Sequence, residues 1–566
     1  MRTNADVLAE AIQAHGVPRV HVYPGGSVAP LLDALQRRRV ELCVGRSESG
    51  AGFAAIGEAR VTRRPAVVVV TCGPGHTNAV TTIADAYCDS ITLLVLIGRP
   101  VLEPSRAKVR QRAFQDVTFD LSGICKAETQ LPDRAVGRWA WECFDVAGQG
   151  RPGPVVAHLP MDVQQAEAAV LGFDADPLHD VRPSDGPPEL SSYGDMLCGI
   201  RAARRPLVLA GAGIYQAEAV DEFRALIDAT ALPVVTSMPA LGVLPSGHPL
   251  NFGMIGHIGS PVANRLLAEC DTLFVLGSRL DVRQTGTEVA TWREGKAIIS
   301  VERDSAEVVG GRVCPDVCVE AGLRGILGAL ARHYRDGDKP ASWLERCGSL
   351  RAEHEASALR PVYDDLTARD VVRAVDLATA GRELLVVTGS GAHQVHVARN
   401  MTLDHPRRRW ISSCGLGTMG TGLPYAIGAC QAAPGVPAVC FVGDAEIQHS
   451  LSELITIAQR KLPITVVVLD NRRLGLVSQF QIGKYGSDPT CHGEQEEGIE
   501  WGVIGAAMGL PTATCYSVAD VEVSLGHFGE GPALLHCLTS YEEECWPMML
   551  NGDQVGEMSW PKEAAR

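Results

Sequence analysis

Short apolar runs alternate along the chain with longer segments in which apolar residues recur every three or four positions. At the start, Val7, Leu8 and Ile12 share one face of a predicted helix that Asn4 can cap, and a strand-like run follows. Apolar runs of strand length recur in three parts of the chain, at 19–23, 66–71, 91–97, 206–209, 232–236, 272–276, 384–387, 438–442, 464–469 and 533–537. Short apolar strands that alternate with helices predict parallel sheets covered by helices on both faces.

The alternation breaks twice, and the breaks divide the chain. Residues 171–192 lose their periodicity in a run rich in Asp, Pro and Gly, which is typical of a linker. Residues 337–361 are charged and only weakly periodic. We therefore predict an α/β protein with three doubly wound parallel-sheet domains, at 1–170, 190–335 and 360–566, of which the first and third are similar in pattern.

Composition narrows the class of protein. The 566 residues are 46% hydrophobic and 21% charged, which excludes disordered, collagen-like and coiled-coil chains. A net charge of −15 argues against a nucleic-acid-coating protein. The longest apolar runs, at 66–70 and 464–469, are far shorter than the roughly 20 residues of a membrane span. The chain also opens without a leader sequence, so no membrane association is expected.

The 17 cysteines are scattered along the chain. Their tightest pair, Cys314 and Cys318, has no second pair to complete a zinc site. Free and mostly buried thiols are typical of a reducing compartment, so we expect a cytoplasmic protein.

Two polar strand ends in the third domain suit a metal ion. Asp444 follows strand 438–442 and Asn471 follows strand 464–469, with a predicted helix at 447–460 between them. Such a crossover places both residues at the carboxyl edge of the sheet, where open α/β sheets bind ligands. Their oxygens suit magnesium, which takes its other ligands from phosphate and water. Turn-forming residues at strand ends give the same pattern, so position alone leaves both interpretations open.

Two other features allow more than one interpretation. Glu48 precedes a helix rich in small apolar residues, where a desolvated carboxyl group could shuttle protons, but a first-turn carboxylate also interacts favourably with the helix dipole. Gly415, Gly417 and Gly420 match Gly-x-Gly-x-x-Gly after a short strand, and Asp444 follows where a ribose-binding acid could stand. An NAD-dependent oxidoreductase is therefore an alternative at this point.

Together these motifs resemble those of the thiamine-diphosphate-dependent enzymes. Gly443-Asp444-Ala445, with Asn471 further on, resembles Gly-Asp-Gly … Asn-Asn, although Ala445 and Asp470 depart from that pattern. The resemblance implies that Asp444, Asn471 and the carbonyl group of Arg473 hold Mg²⁺ against the cofactor diphosphate. An alanine at 445 would hinder the backbone if that position required a positive φ.

The first domain carries a matching set. Arg-Ser-Glu-Ser at 46–49 resembles Arg-His-Glu-Gln, whose glutamate protonates the aminopyrimidine of the cofactor, and this implies that role for Glu48. The turn from Cys72 to Asn78 resembles Gly-Pro-Gly-x-x-Asn, which faces the same cofactor. In this family the two motifs come from different subunits, so the resemblance implies a homodimer or homotetramer with active sites at the subunit interface.

Similarity to the acetohydroxyacid (acetolactate) synthase group runs along nearly the whole chain. The stretch from Gly415 to Pro424 resembles that group's loop, whose methionine supports the bent cofactor, and this disfavours the NAD-dependent alternative. The implied cofactor contacts are Gly25, Gly26, Asn78, His393, Gly417, Met419, Asp444, Ala445 and Asn471. The implied catalytic and substrate residues are Glu48, Gln115, Lys126, Arg283 and Phe480.

The departures cluster where substrate should bind. Ser47 replaces a histidine, Val282 an acid, Phe480 a tryptophan, and 389–392 reads Gly-Ser-Gly-Ala in place of Asp-Val-Gly-Gln. The resemblance implies a decarboxylating carboligase that joins a pyruvate-derived hydroxyethyl carbanion to a second 2-keto acid or carbonyl. The alternative is a related lyase, hydrolase or carboligase acting on another 2-keto acid or a diketone. A silent regulatory homologue is disfavoured because Glu48 is retained.

The resemblance also bears on cofactors and partners. It implies thiamine diphosphate and Mg²⁺, and at the central domain, near Gly211, Arg279 and Arg283, it leaves open FAD, a nucleotide such as ADP, or no ligand. The substrate would be a small 2-keto acid. A regulatory small subunit is a further partner to consider.

Overall fold

The computed structural model describes residues 1–101, 117, 119–169, 190–333, 341–356, 363–487, 498–527, 529, 531–550 and 552–559. These residues form three six-stranded sheets, and all strand pairs within them are parallel. The predicted α/β class with three doubly wound parallel sheets is confirmed.

The first sheet lies within the first 160 residues. Its strands are β1 (Arg19–Tyr23), β2 (Glu41–Val44), β3 (Ala66–Val70), β4 (Leu93–Arg99), β5 (Ala127–Gln130) and β6 (Pro154–Pro160). Its helices are α1 (Asn4–Ala14), α2 (Ala29–Arg37), α3 (Glu48–Thr62), α4 (Pro74–Cys88), α5 (Val136–Gly148) and α6 (Met161–Gln165). The strand order is β2-β1-β3-β4-β6-β5.

The central sheet follows. Its strands are β7 (Pro206–Ala210), β8 (Val234–Thr236), β9 (Asn251–Met254), β10 (Thr272–Leu276), β11 (Ala297–Glu302) and β12 (Val317–Glu320). Its helices are α7 (Leu190–Ala202), α8 (Gly213–Gln216), α9 (Val220–Thr230), α10 (Pro261–Glu269), α11 (Val282–Thr285), α12 (Val289–Arg293) and α13 (Leu323–His333), followed by α14 (Ala341–Ala356). The order β9-β8-β7-β10-β11-β12 is the 3-2-1-4-5-6 arrangement of dinucleotide-binding folds.

The third sheet repeats the topology of the first. Its strands are β13 (Leu384–Thr388), β14 (Arg408–Ser412), β15 (Ala438–Gly443), β16 (Ile464–Asp470), β17 (Thr512–Cys515) and β18 (Ala533–Leu538), in the order β14-β13-β15-β16-β18-β17. Its helices are α15 (Ala368–Ala378), α16 (Ala392–Asn400), α17 (Gly422–Ala432), α18 (Asp444–Ile447), α19 (Glu453–Gln459), α20 (Gly475–Tyr485), α21 (Trp501–Ala507) and α22 (Val518–Ser524). The predicted similarity of the first and third sheets is therefore borne out strand by strand.

The first and third sheets share one hydrophobic core through α3 and α17. Gly57 of α3 lies against the backbone of Tyr425, and Gly428 of α17 lies against the backbone of Ala54, so neither position has room for a side chain. The later residue of α3 faces the earlier residue of α17, so the two helices are antiparallel and the end of α3, not Glu48 at its start, lies near the glycine-rich segment before α17. The packing therefore holds the first and third sheets against each other within the chain.

The observed elements differ from the predicted ones in places. The helix expected at 447–460 is found only as α19, from Glu453 to Gln459, because His449 and Ser450 make i→i+3 turns after the end of α18 and His449 packs against Gly420. The α3 helix starts at Glu48 itself, with Ser47 as its N-cap. The pattern missed the edge strand β5 because its polar residues leave no apolar run, and it missed β12, whose apolar run is only three residues long.

Candidate active site

Loops that follow β13, β15 and β16 converge on one cavity of about 240 Å³ at the carboxyl edge of the third sheet. The predicted residues that line it are His393, Gly417, Met419, Asp444, Ala445, Asn471 and Arg473. The lining also includes Glu446, Ser540 and Glu543, which the sequence did not single out. The structure thus brings together the whole set expected to hold a diphosphate and its metal ion.

Asp444 is buried at the first position of α18, with 7% of its surface exposed. Burial, together with the charge of the neighbouring Asp470, raises the pKa of its carboxyl group to about 7, against the opposing effect of backbone hydrogen bonds at 444, 445 and 471. Asp470 is itself buried and lies 2.8 Å from Nε2 of His536. A cation bound at Asp444 would offset this unfavourable environment.

The donor set fits magnesium better than a transition metal. In the described parts of the chain, no three His, Cys, Asp or Glu side chains converge as a metal cluster would need. One carboxylate, the amide oxygen of Asn471 and a main-chain carbonyl group would leave the other positions to phosphate and water, as magnesium prefers. Ala445 has no positive φ, so its methyl group causes none of the backbone strain that the sequence raised as a concern.

His393 faces a carboxylate that was not predicted from the sequence. Its Nε2 lies 3.0 Å from Oε2 of Glu446, a side chain only 1% exposed. The other oxygen of Glu446 accepts a hydrogen bond from the N–H of Gly422 at 3.1 Å. A Cβ on Gly389 would lie 1.6 Å from that oxygen, so Glu446 fills the space next to this glycine. Gly389, which departs from the family pattern, was the sequence feature that could have indicated a large side chain at this place.

A second group of residues lies at the carboxyl edge of the first sheet. Ser47 accepts a hydrogen bond from the N–H of Gly50 at 2.9 Å and so fixes the start of α3. Glu48 is buried there and accepts a hydrogen bond from Nδ2 of Asn78 at 3.0 Å. Gly25 packs against Thr71, with no room for a Cβ, whereas Gly26 has open space beside it. These residues form a site around Glu48 that is separate from the lining of the cavity at Asp444.

Hydrogen bonds tie the two groups together within the chain. Oε1 of Glu453, at the start of α19, accepts a hydrogen bond from the N–H of Arg46 at 2.8 Å. The Nε of Arg46 donates to Oγ1 of Thr456 at 3.2 Å. The segment immediately before Glu48 is therefore anchored to α19 of the third domain.

The predicted substrate residues are dispersed. Arg283, on α11, donates to the carbonyl oxygen of Cys414 at 3.1 Å and lies against Gly417, whose φ of +76° and lack of a side chain allow this approach. Lys126 precedes β5 at the amino edge of the first sheet, the edge opposite Glu48, and donates to the carbonyl oxygen of Gln149. Phe480 is 39% exposed on α20. Gln115 lies outside the described residues.

A larger cavity, of about 650 Å³, lies between the three sheets. It is lined by the segments after β7 and β10, which carry Gly213, Gly277 and Arg279. The first domain contributes Arg60 and Asp89, and β14 of the third domain contributes Trp410. Gly211 and Gly277 touch, because a Cβ on Gly211 would lie 2.1 Å from the carbonyl oxygen of Gly277. Burial raises the pKa of Glu302, at the end of β11, to about 8.

The cysteines in the described ranges are free, and most are buried. Among the helices that the structure describes, none has the length and apolar character needed to cross a membrane.

Three regions of the sequence match known domain families. Residues 2–123 match the thiamine pyrophosphate enzyme N-terminal TPP binding domain, 195–330 the central domain, and 389–537 the C-terminal TPP binding domain. The chain is 34% identical to acetolactate synthase isozyme 1 large subunit and 32% identical to isozyme 2 large subunit of Escherichia coli K12, over 98% of each chain. It is 31% identical to the chloroplastic acetolactate synthase 1 of Oryza sativa subsp. japonica, over 98% of this chain and 88% of the relative. A cavity with the expected diphosphate residues and similarity over nearly the full length lead to one conclusion: the chain belongs to the acetolactate synthase large-subunit group of the thiamine pyrophosphate enzymes.

Proposed function

We propose that the protein is a thiamine-diphosphate- and magnesium-dependent carboligase of the acetolactate synthase type. It would decarboxylate pyruvate and join the remaining two-carbon unit to the carbonyl group of a second 2-keto acid. The observation that carries this proposal is the convergence of His393, Met419, Asp444 and Asn471 on one cavity.

In this proposal the third sheet holds the diphosphate. Asp444, Asn471 and the carbonyl group of Arg473 would bind Mg²⁺, while His393, Gly417 and Ala445 line the space for the phosphates and Met419 supports the rings. Thiamine diphosphate, when bound, supplies the carbon nucleophile and the electron sink for decarboxylation. The raised pKa of Asp444 supports the assignment, since a carboxylate in this environment gains most from a bound cation.

Glu48 would exchange the proton of the aminopyrimidine. Its burial keeps the carboxyl group away from bulk water, and the hydrogen bond from Asn78 fixes its orientation. Gly25 and Gly26 would lie along the same face. Because Glu48 does not line the cavity at Asp444, we propose that each active site combines the Glu48 group of one subunit with the Asp444 group of another, in a homodimer or homotetramer.

Arg283 is the substrate residue with the best supporting geometry. Its guanidinium group lies against Gly417 and bonds the loop that carries Met419, so a keto-acid carboxylate bound by Arg283 would lie next to the cofactor. Gln115, Lys126 and Phe480 stay in the proposal as further substrate residues. An alternative function is a related lyase, hydrolase or carboligase acting on another 2-keto acid or a diketone. Two departures from the family pattern favour it, namely Ser47, which caps α3, and Val282, which is half-exposed.

The larger cavity suits a flavin or an adenine nucleotide. It lies where the strand order of the central sheet reverses, which is where such folds bind dinucleotides. Touching glycine loops and Arg279 would accommodate a diphosphate group, and Glu302 stands where a ribose-binding acid is expected. We propose FAD or ADP at this site, a regulatory small subunit as partner, and a cytoplasmic location. We also propose domain boundaries at 1–170, 190–335 and 360–566.

The test is a pyruvate assay with thiamine diphosphate and Mg²⁺ that follows carbon dioxide and acetolactate together. Acetolactate formed in proportion to carbon dioxide supports the synthase. Cofactor binding without pyruvate turnover would favour the alternative, and screening of other 2-keto acids and diketones would follow.

Two variants test the assigned roles. Glu48→Gln should lower turnover by at least about 100-fold, because a general acid–base group is lost, while cofactor affinity stays close to that of the wild type. Asp444→Ala should abolish magnesium-dependent cofactor binding, as measured by calorimetry. Undiminished turnover of the first variant, or retained cofactor in the second, would refute the corresponding role.

A further inference from the structure

The glycine-rich loop of the third domain is held by two carboxylates of the first. Asp85 of α4 is fully buried and accepts hydrogen bonds from Oγ of Ser413 at 2.6 Å, from Oγ1 of Thr418 at 2.9 Å, and from the hydroxyl group of Tyr425. All three donors belong to the segment that begins at the end of β14 and continues into α17. The carboxylate therefore crosses from one domain to the loop of the other.

Ser413 connects Asp85 to the backbone of the loop. Its Oγ accepts hydrogen bonds from the N–H of Gly417 at 3.2 Å and of Thr418 at 3.0 Å. One hydroxyl group thus connects Asp85 to the turn immediately before Met419. Removal of either side chain would leave buried donors without partners, which is more costly than loss of a solvent-exposed hydrogen bond.

Asp89, at the end of the same helix, holds the first half of the loop. It accepts hydrogen bonds from the N–H groups of Cys414, at 3.1 Å, and Gly415, at 2.7 Å, and also pairs with Arg60. Burial raises the pKa of Asp85 above its usual value, and the charge of Asp89 adds to the effect. Two buried carboxylates one helical turn apart are unfavourable unless fixed donors satisfy them, and here most of the donors belong to the loop.

We propose that Asp85 and Asp89 are positioning residues that hold the loop at 413–418, and with it Met419, in the shape that the cofactor site requires. The consequence for the cofactor rests on the proposed function, whereas the effect on the loop does not. The other end of α4 carries Asn78, which bonds Glu48. The helix therefore contacts both groups of site residues in one chain, and in the proposed oligomer it would connect two active sites.

Hydrogen–deuterium exchange of the full-length protein without cofactor tests the effect on the loop. In Asp85→Asn and in Ser413→Ala, amide exchange at 413–420 should rise by about 10-fold or more over the wild type, with much smaller changes in the core strand β15. Asp33→Asn is the matched control, because Asp33 is 68% exposed and, in the part of the chain that the structure describes, bonds only a surface arginine, Arg37. Unchanged exchange at 413–420 in both variants would overturn the proposal.

Cofactor titration tests the consequence. The affinity for thiamine diphosphate with Mg²⁺ should fall by about 10- to 100-fold in each single variant, the range for a lost charge-assisted hydrogen bond. The double variant should be little weaker than the weaker single variant, because both changes break the same connection. Additive losses would overturn the proposal. If the wild type binds no cofactor, the proposed function fails and the exchange experiment still decides the role of Asp85.

A milder change covers the case in which Asp85→Asn does not fold. Thr418→Val removes one of the three hydroxyl donors and keeps the carboxylate and its other partners. Exchange at 413–420 should rise in this variant too, by less than in Ser413→Ala. An unchanged loop in a folded Thr418→Val and in Ser413→Ala would count against the proposal.

Discussion

Replacement of Gly428 by alanine should separate α3 from α17. A Cβ at this position would lie 1.8 Å from the carbonyl oxygen of Ala54, whereas ordinary contacts begin at 3.4 Å. One of the helices must therefore move by about 1.6 Å. Overpacking of this kind costs about 1–3 kcal/mol, and the better helix propensity of alanine returns about 1 kcal/mol. We expect a net loss of up to about 2 kcal/mol in the free energy of unfolding.

Urea denaturation followed by circular dichroism measures the effect as a lower midpoint. Gly348→Ala is the matched control, because Gly348 is exposed within α14 and nothing lies near its Cβ position. That variant should be unchanged or more stable by up to about 1 kcal/mol. Gly428→Ala should also weaken cofactor binding, because α3 begins at Glu48 and α17 follows the loop that carries Met419. A Gly428→Ala protein as stable as the control would refute the packing argument.

Three further predictions concern buried charge and accessible thiols. The pKa of Glu302 is raised to about 8, so the free energy of unfolding should fall progressively as the pH rises from about 4.5 to 8. Glu302→Gln should flatten this decline in thermal melts, and an unchanged pH profile would contradict the prediction. Asp376→Ala leaves the buried Arg408 without its carboxylate, 2.8 Å away, and should lower the unfolding free energy by about 3–5 kcal/mol in urea titrations; a loss below 1 kcal/mol would contradict it. Among the described cysteines, Cys198 and Cys314 are exposed and should react first with a thiol reagent, as peptide mapping would show; earlier labelling of buried thiols would contradict it.

The sequence by itself determined the class of fold and predicted that Asp444 and Asn471 meet at one edge of the third sheet. Apolar runs of strand length between helices suffice to predict parallel sheets, since a strand buried on both faces must be apolar throughout. Asp444 and Asn471 were predictable as neighbours because each follows a strand of the same sheet, and such strand ends meet at one edge.

Edge strands and interrupted helices could not be predicted from the apolar pattern. The short strand Ala127–Gln130 contacts a neighbour on one side only, so its polar positions tolerate solvent and leave no apolar signal. The break between α18 and α19 depends on His449 packing against Gly420, a contact between residues far apart along the chain. Local patterns do not contain that information.

Only the tertiary structure decided how distant segments meet. It placed Glu446 next to His393, Asp85 against the loop before Met419, and Arg283 over Gly417, three contacts made across domains or between separate loops. It also placed Lys126 at the sheet edge opposite Glu48, which the order of residues along the chain did not indicate. Periodicity reports which face of an element is buried, but the partner of each buried polar group is set by how helices and sheets pack, and that packing depends on the whole chain at once.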